Sequence, residues 1–551
     1  MIFYPQIVEY NEVIQHPATA FADPELRQGR VKENALGLPI VLSGGFALTY
    51  TITTPQRQLA VRCFHRQIPG ADRKYASISK QMASLHARYF VGFNYLKEGI
   101  KVKQAVYPIV KMVWVEGDPL GIWLDKNSRN STLMEKVRGE FVTLAAYLHQ
   151  HEIAHGDIQN GNVMMSPSGI TLIDYDGMYV PGMTTGNGSE TGHKHFQHPN
   201  REACHFGPTM DRFSFIVLDL SLRAIREDVS LHQRFREGGE TIIFRANDFV
   251  DPQNSEIFQI LRQRARLKTH ADNFAHICQA DIRSVPTLED FLAGRNIPTG
   301  KPISSRAAVG TDLPSRPRTA RYIGAFPILS TSDHDGVLRM VGQRIELVGC
   351  IQAVKHGMGR RGRGRGRPYV FVNFGHWRGD IVKLTIWSEG LAQLSDWPDD
   401  RWIGRWVSVV GLVDAPYSGK HYNFHYTHVG ITIDNPQQIN VIAEQEARFR
   451  LGQSALPSIH IVEQPPRRGK VTKPVGSSNQ NIINAITGRS IPRPTPAGRT
   501  QVRGTTNRDI LRGIQSIPSA PSRPAPPRPA PSMATPPSLL QRMLRLIGLS
   551  R

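Results

Sequence analysis

The chain has 551 residues, of which 40% are hydrophobic and 21% are charged. This composition predicts several globular domains and excludes disorder along the whole length. The formal net charge of +21 favours a polyanionic partner, such as nucleic acid or an acidic membrane surface. The basic residues are concentrated: residues 451–551 hold 15 Arg and Lys against 2 Asp and Glu, and the run Lys355–Arg367 holds 6 basic residues and no acidic one.

The cysteines and the apolar segments indicate the compartment. Cys63, Cys204, Cys278 and Cys350 are far apart and form no Cys-x-x-Cys pair, which fits a reducing environment. The first residues show no basic segment followed by an apolar core, so no signal peptide is expected. No run approaches the roughly 18 apolar residues of a transmembrane helix. We therefore expect a soluble, cytoplasmic protein.

In chain order, an N-terminal extension (residues 1–35) precedes a region, residues 36–116, whose pattern predicts mainly β-strands. A helix at Ala71–Ala87 is expected to interrupt these strands, because its apolar residues recur at helical spacing. Residues 117–295 predict mainly helices. Strands followed by helices predict an α+β domain with two lobes, 36–116 and 117–295.

The remaining chain predicts three kinds of segment. Residues 296–335 are rich in Pro, Ser and Arg and predict a linker, whereas residues 336–436 predict a small all-β module. Residues 437–535 are rich in Pro, Arg and Ser and predict a disordered tail, because they offer too little apolar surface for a core. Residues 536–551 carry an apolar stripe that predicts a short amphipathic helix for partner docking, with membrane-surface binding as the alternative.

The most informative motif is His155-Gly156-Asp157, followed by Asn162, a strand and Asp174. Phosphoryl transfer needs one carboxylate that accepts the proton of an attacking hydroxyl and another that holds Mg²⁺ on the nucleotide phosphates. A neutral amide oxygen can complete the metal coordination. The spacing of Asp157, Asn162 and Asp174 predicts that all three reach one edge of a cleft.

These motifs resemble those of the protein-kinase superfamily. HGDIQNGN is similar to the catalytic loop, and LIDYDG is similar to the strand and Asp-Phe-Gly element. The resemblance implies ATP and Mg²⁺ as cofactors, Asp157 as the catalytic base, and Asn162 and Asp174 as metal ligands. Downstream, GHKHFQHPN and DRFSF are similar to the activation-segment end and the start of the long C-lobe helix of protein kinases, which favours a protein substrate over a small molecule.

The first lobe departs from the family pattern. Leu42–Tyr50 is similar to a reduced glycine-rich loop, with Gly44 and Gly45 as the nucleotide-facing residues. Arg62 stands where the family has its phosphate-binding lysine, and Glu116 lies in the segment similar to the adenine-binding hinge.

The usual partner of that lysine is also missing. The predicted helix contains no Glu, and Asp72 is its only acidic residue. Glu98 on the following strand is therefore a candidate partner for the basic residue, and Asp176 replaces the Gly of Asp-Phe-Gly. These departures leave two alternatives to an active kinase: a nucleotide-binding pseudokinase scaffold, or a nucleic-acid-binding protein with a regulatory kinase-like domain.

The predicted β module has five strands with a short helix after the third, an order that resembles an OB-fold barrel. The loop between its first two strands is rich in Gly and Arg, which suits contacts to the phosphates and bases of single-stranded nucleic acid. Phe374, Trp377 and Trp387 are further stacking candidates, and a protein-interaction module with a solvated loop remains the alternative. The candidate nucleic-acid residues are Arg360, Arg361, Arg363, Arg365, Arg367, Tyr369 and Phe371.

Overall fold

The computed structural model describes residues 4–34, 37–43, 47–68, 70–85, 88–299, 321–359, 365–421 and 424–453. The described chain combines helices with mainly antiparallel sheets, so the predicted α+β class is confirmed. Across these ranges no helix is long and apolar enough to span a membrane. The C-terminal amphipathic helix, most of the predicted tail and much of the predicted linker lie outside the described residues.

The first part of the chain forms a mainly antiparallel sheet in the order β1-β3-β4-β6-β5, with β2 paired to β3. Residues 1–35 were expected as an extension, but their short helices pack on this sheet with Ile7, Tyr10 and Leu26 in its core. The elements are α1 (Ile7–Val13), α2 (Pro17–Ala20), α3 (Pro24–Arg27), β1 (Arg30–Val31), β2 (Val41–Ser43), β3 (Ala47–Thr53), β4 (Gln58–Phe64), α4 (Ala71–Leu85), β5 (Phe93–Val102) and β6 (Ala105–Val113).

Helix α4, Ala71–Leu85, confirms the helix predicted from Ala71, and the last two predicted residues, 86 and 87, lie outside the described residues. Its buried residues, Tyr75 and Ile78, belong to the apolar core shared with the helical part of the chain, and Met82 packs against that core. The helix therefore connects the sheet to the region that carries the candidate catalytic motif.

The helical part is organised around α6 and α7, which pack against each other. Asn130 caps α6 by accepting a hydrogen bond from the Leu133 amide at 3.1 Å. The elements are β7 (Asp118–Pro119), α5 (Leu120–Asn127), α6 (Ser131–Gln150), β8 (Val163–Ser166), β9 (Gly169–Leu172), α7 (Arg212–Glu227), α8 (Ser230–Phe235), α9 (Ala246–Val250), α10 (Glu256–Arg262), α11 (Ala265–Gln279) and α12 (Leu288–Leu292).

The β module consists of a sheet in the order β10-β11-β15-β18 and another in the order β12-β13-β14-β17-β16. Strand β14 pairs parallel with β17, and β11 pairs antiparallel with β15. The elements are β10 (Ile328–Ser330), α13 (His334–Arg339), β11 (Arg344–Cys350), β12 (Ala353–Met358), β13 (Pro368–Asn373), β14 (Ile381–Ile386), α14 (Ser388–Gln393), β15 (Trp406–Leu412), β16 (Tyr417–His421), β17 (Phe424–Thr432), β18 (Ile439–Ile442) and α15 (Glu444–Arg450).

The module extends beyond its predicted boundaries on both sides. Strand β10 lies in the range predicted as linker, and β18 and α15 lie in the range predicted as disordered tail. The extension is ordered because Ile439 packs into the module core and Arg450 forms a buried ion pair with Glu346 at 2.8 Å.

Candidate functional site

The loop between α6 and β8 holds the carboxylate of Asp157 in a defined orientation. The Asp157 Oδ1 atom accepts a hydrogen bond from the backbone amide of His193 at 2.7 Å, and Oδ2 accepts one from Asn162 Nδ2 at 2.8 Å. Asn162 Nδ2 also donates to the Asp157 carbonyl at 3.0 Å. Because the amide nitrogen of Asn162 faces Asp157, its carbonyl oxygen is directed away from that carboxylate and can act as a metal ligand.

Asp174 is brought to the same place by a backbone hydrogen bond. The Ile173 amide, just after the end of β9, donates to the Asn162 carbonyl at 3.0 Å. The next residue, Asp174, therefore lies beside the loop that carries Asn162. Asp174 has φ = 68°, in the left-handed region that a residue with a side chain seldom occupies. The structure thus brings together the three residues that the sequence motif singled out: Asp157, Asn162 and Asp174.

Asp211 and Gly156 fix the backbone of this loop. The buried Asp211, at the start of α7, accepts hydrogen bonds from the backbone amides of His155 and Gly156. Burial raises the pKa of the Asp211 carboxyl, with His155 and the amide donors opposing that shift. Gly156 has φ = 83°, and a Cβ atom there would lie 2.3 Å from the Gly177 carbonyl oxygen. Position 156 therefore requires glycine, because its positive φ and its short distance to the Gly177 carbonyl both exclude a side chain.

Arg62 on β4 is buried, and its guanidinium forms ion pairs with two carboxylates. Nη1 and Nη2 bind the two oxygens of Asp176 at 2.9 and 2.7 Å, and Nη1 also binds Asp174 Oδ1 at 2.7 Å. Burial favours the neutral guanidine, but the charges of Asp174 and Asp176 outweigh it and raise the pKa of Arg62. The suggestion that Glu98 pairs with the basic residue is wrong, because Asp176 takes this position and Glu98 is exposed.

Helix α4 also contacts Asp176, through Lys74 and Tyr75. The ammonium group of Lys74 donates to the Asp176 carbonyl and, at 3.0 Å, to Ser189 Oγ. The hydroxyl of Tyr75 donates to Asp176 Oδ1. Helix α4 has no glutamate, but Asp176 still connects it to Arg62 on β4.

Glu190 is a site residue that the sequence analysis missed. Burial and the charges of Asp176, Asp174 and Asp157 raise the pKa of its carboxyl well above the usual value, with Lys74 opposing. It stands as an isolated acid in a Gly- and Thr-rich stretch, so the sequence offered no signal for it.

The charges of this site favour a divalent cation. Among the described residues, the carboxylates of Asp157, Asp174 and Asp176 outnumber the cations of Arg62 and Lys74. A metal ion would offset the excess negative charge. Within the described chain no cluster of three His, Cys, Asp or Glu side chains could hold a metal by itself. One Asp and one Asn fit Mg²⁺, which commonly takes its other ligands from water and substrate phosphates.

The remaining predicted nucleotide contacts are less defined. Gly44 and Gly45 lie outside the described residues. Glu116 is exposed between β6 and β7. Arg62, expected to bind phosphate, is instead held by Asp174 and Asp176.

The candidate nucleic-acid residues divide into two groups. Arg365 and Arg367 are exposed at the end of the hairpin of β12 and β13, whereas Arg360, Arg361 and Arg363 lie outside the described residues. Tyr369 is only 5% exposed, because its ring packs with Leu38 and the rings of Trp387 and Phe371. It is therefore not an open stacking surface in this structure, and Phe371 is half-buried.

The further stacking candidates also differ in exposure. Phe374 lies in the module core, and Trp387 is buried in the aromatic cluster with Tyr369. Trp377, in contrast, is 41% exposed. Of these three rings, Trp377 is the most exposed, with the rings of His376 and Trp377 stacked and the Arg378 guanidinium 5.1 Å from the Trp377 ring centre.

Comparison with known proteins adds no assignment to this geometry. No protein-family model matches the sequence, and no curated protein matches it. Family and function therefore rest on the residues and contacts described above.

Proposed function

We propose that the chain is an ATP- and Mg²⁺-dependent phosphotransferase of the protein-kinase type, with a protein as the phosphate acceptor. The observation that carries this proposal is the meeting of Asp157, Asn162 and Asp174 at one site. Residues 36–295 would form the bilobal kinase-like domain, with strands β2–β6 in the first lobe and the helices around α6 and α7 in the second.

Each of the three residues has a chemical role in this proposal. Each oxygen of the Asp157 carboxylate accepts one described hydrogen bond and retains a lone pair, so the carboxylate can accept the proton of an acceptor hydroxyl. The Asn162 carbonyl oxygen and the Asp174 carboxylate would hold Mg²⁺. When bound, the metal would neutralise charge on the phosphates of the nucleotide.

The contact between Arg62 and Asp176 supports an active enzyme over an abandoned one. The strongest argument for a pseudokinase is that α4 has no glutamate to pair with the basic residue of β4. Asp176 provides the acid instead, and Lys74 and Tyr75 connect it to α4. A nucleotide-binding scaffold remains the second candidate, since Arg62 is already bound by two acids and has less capacity for phosphate.

The β module is proposed as an OB-like barrel that selects the substrate or location of the enzyme. The parallel pairing of β14 with β17 and the pairing of β11 with β15 are consistent with such a barrel. Single-stranded nucleic acid is a candidate ligand, because Arg365 and Arg367 are exposed on its hairpin. Neutralising both arginines should then reduce the salt dependence of binding by about 1.4 in the slope of log K against log salt, from about 0.7 per phosphate contact.

Transfer of label from γ-labelled ATP to protein tests the proposed function. With Mg²⁺ present, the wild-type chain should incorporate label, and Asp157→Asn should lower the rate by about 10²–10⁴, the usual contribution of a general base. Asp335→Asn is the matched control, since Asp335 is exposed on α13. Equal incorporation by the wild type and Asp157→Asn would refute the proposal. Nucleotide binding without any transfer would favour the scaffold.

A further inference from the structure

A continuous set of hydrogen bonds connects the β module to Asp157. Arg344, the first residue of β11, donates from Nη2 to Glu240 Oε1 at 2.7 Å. The other carboxylate oxygen of Glu240 accepts from His193 Nε2 at 2.9 Å. The backbone amide of His193 then donates to Asp157 Oδ1 at 2.7 Å. Arg344, Glu240 and His193, from three separate parts of the chain, thus form a path of contacts that ends at the proposed base.

The middle of this set is protected from water. The side chains of His193 and Glu240 are 5% and 12% exposed. Burial alone would raise the pKa of Glu240, but Arg344 and His193 hold it below the usual value, so this carboxylate is charged. Because the charged Glu240 carboxylate can only accept a hydrogen bond, His193 must carry a proton on Nε2. The Nδ1 atom is then free to accept the amide of His195, 3.3 Å away. The imidazole is therefore fixed at both nitrogens.

Further contacts keep Arg344 in place. Its guanidinium lies 4.7 Å from the centre of the Phe326 ring, and that ring contacts the imidazole of His193 edge-on with centres 5.9 Å apart. On α15, Arg450 binds Glu237 at 2.8 Å, three residues before Glu240. The β module is thus attached to the loop between α8 and α9 by two arginines.

We propose that Arg344 and Glu240 are positioning residues through which the β module orients Asp157. They act by fixing His193, whose backbone amide is one of the two described donors to the Asp157 carboxylate. The catalytic part of this inference rests on the proposed function. In the proposed kinase-type function, the segment around residues 189–198, which follows Asp174, would bind the phosphate acceptor. Loosening this segment should therefore impair use of the acceptor more than binding of the nucleotide.

Arg344→Met tests the inference by its effect on kinetics. The rate constant kcat should fall by about 10- to 100-fold, since small misplacements of a reacting group have effects of this size. The KM for ATP should stay unchanged, because Arg344 does not contact Arg62, Asp174 or Asp176. Arg344→Lys should restore part of kcat, because it keeps a cation beside Glu240. Arg339→Met, at an exposed position on α13 of the same module, should match the wild type.

Hydrogen exchange tests the same contact without reference to catalysis. In full-length Arg344→Met, peptides covering residues 189–198 should exchange faster, whereas Arg339→Met should leave them unchanged. If Arg344→Met leaves both exchange and kcat at wild-type values, the inference is wrong. Faster exchange with an unchanged kcat would also refute the positioning of Asp157. A wild type without transfer activity would contradict the proposed function, and the exchange result would still decide whether Arg344 holds the segment.

Discussion

Arg62 and Asp176 form a buried ion pair through parallel hydrogen bonds of 2.9 and 2.7 Å. They lie 114 positions apart in sequence, on β4 and just after β9. The forked geometry of arginine suits such a two-bond contact, which a lysine could not make. Arg62 and Asp176 therefore act as one buried pair, and a change at either position removes the same contact.

Removing the acid of this pair should destabilise the fold. Asp176→Asn leaves the buried Arg62 with Asp174 as its remaining carboxylate partner, so the loss should stay below the about 3–5 kcal/mol that leaving a buried charge unpaired commonly costs. Urea unfolding of the purified variant measures the change. Asp72→Asn is the control, because Asp72 pairs with Lys97 at 3.4 Å on the surface, where a contact is worth about 0–1 kcal/mol. Equal free energies of unfolding for the two variants would contradict the importance of the buried pair.

Gly156 and Gly139 should respond in opposite directions to alanine. Gly156→Ala forces a side chain into φ = 83° and against the Gly177 carbonyl, so a loss above about 2 kcal/mol is expected. Gly139 lies inside α6, and an added Cβ atom would have open space within 4 Å, so alanine there should gain up to about 1 kcal/mol in the helix. Chemical denaturation compares both variants. If Gly156→Ala had the same free energy of unfolding as the wild type, the loop would have to tolerate another backbone conformation.

Lys383 should make the stability of the β module depend on pH. It lines a cavity of about 120 Å³ beneath α1, with its ammonium 4.3 Å from the centre of the Phe371 ring. Burial lowers the pKa of Lys383 to about 8, with Asp414 opposing. The unfolded chain therefore binds more protons between pH 8 and the usual 10.5, and stability should rise with pH across that window.

Replacing this lysine with an apolar residue tests that expectation. Lys383→Met should be more stable than the wild type at pH 7, by at most about 3 kcal/mol, and the gain should shrink by pH 10. Thermal unfolding at both pH values measures it, with the exposed Lys420→Met as the control. A gain that is the same at both pH values would mean that the ammonium is not the cause.

The sequence predicts the frame of the site better than its charge pairs. The spacing of Asp157, Asn162 and Asp174 suffices because one short loop and one strand pair connect them, and local geometry follows local sequence. The contact of Arg62 with Asp176 depends on how α4, β4 and β9 pack, which no local pattern encodes. Glu190 is brought to the site by the path of a long loop, for the same reason.

The β module shows the same limit. The alternation of apolar residues predicts its strands, but the burial of Tyr369 depends on Leu38, which lies more than 300 residues earlier in the chain. Similarly, the polar composition after residue 437 predicts disorder, and it conceals the few residues, such as Ile439 and Arg450, that attach this segment to the module.

Calorimetric titration of the full chain with ATP, with and without Mg²⁺, tests the central claim most directly. The wild type should bind ATP more tightly with Mg²⁺, because Asn162 and Asp174 would share the metal with the phosphates. Asp174→Asn keeps an acceptor for Arg62 but should lose the dependence on Mg²⁺, whereas Asp335→Asn should retain it. An affinity for ATP that does not change with Mg²⁺ in the wild type would contradict a metal–nucleotide site at these residues.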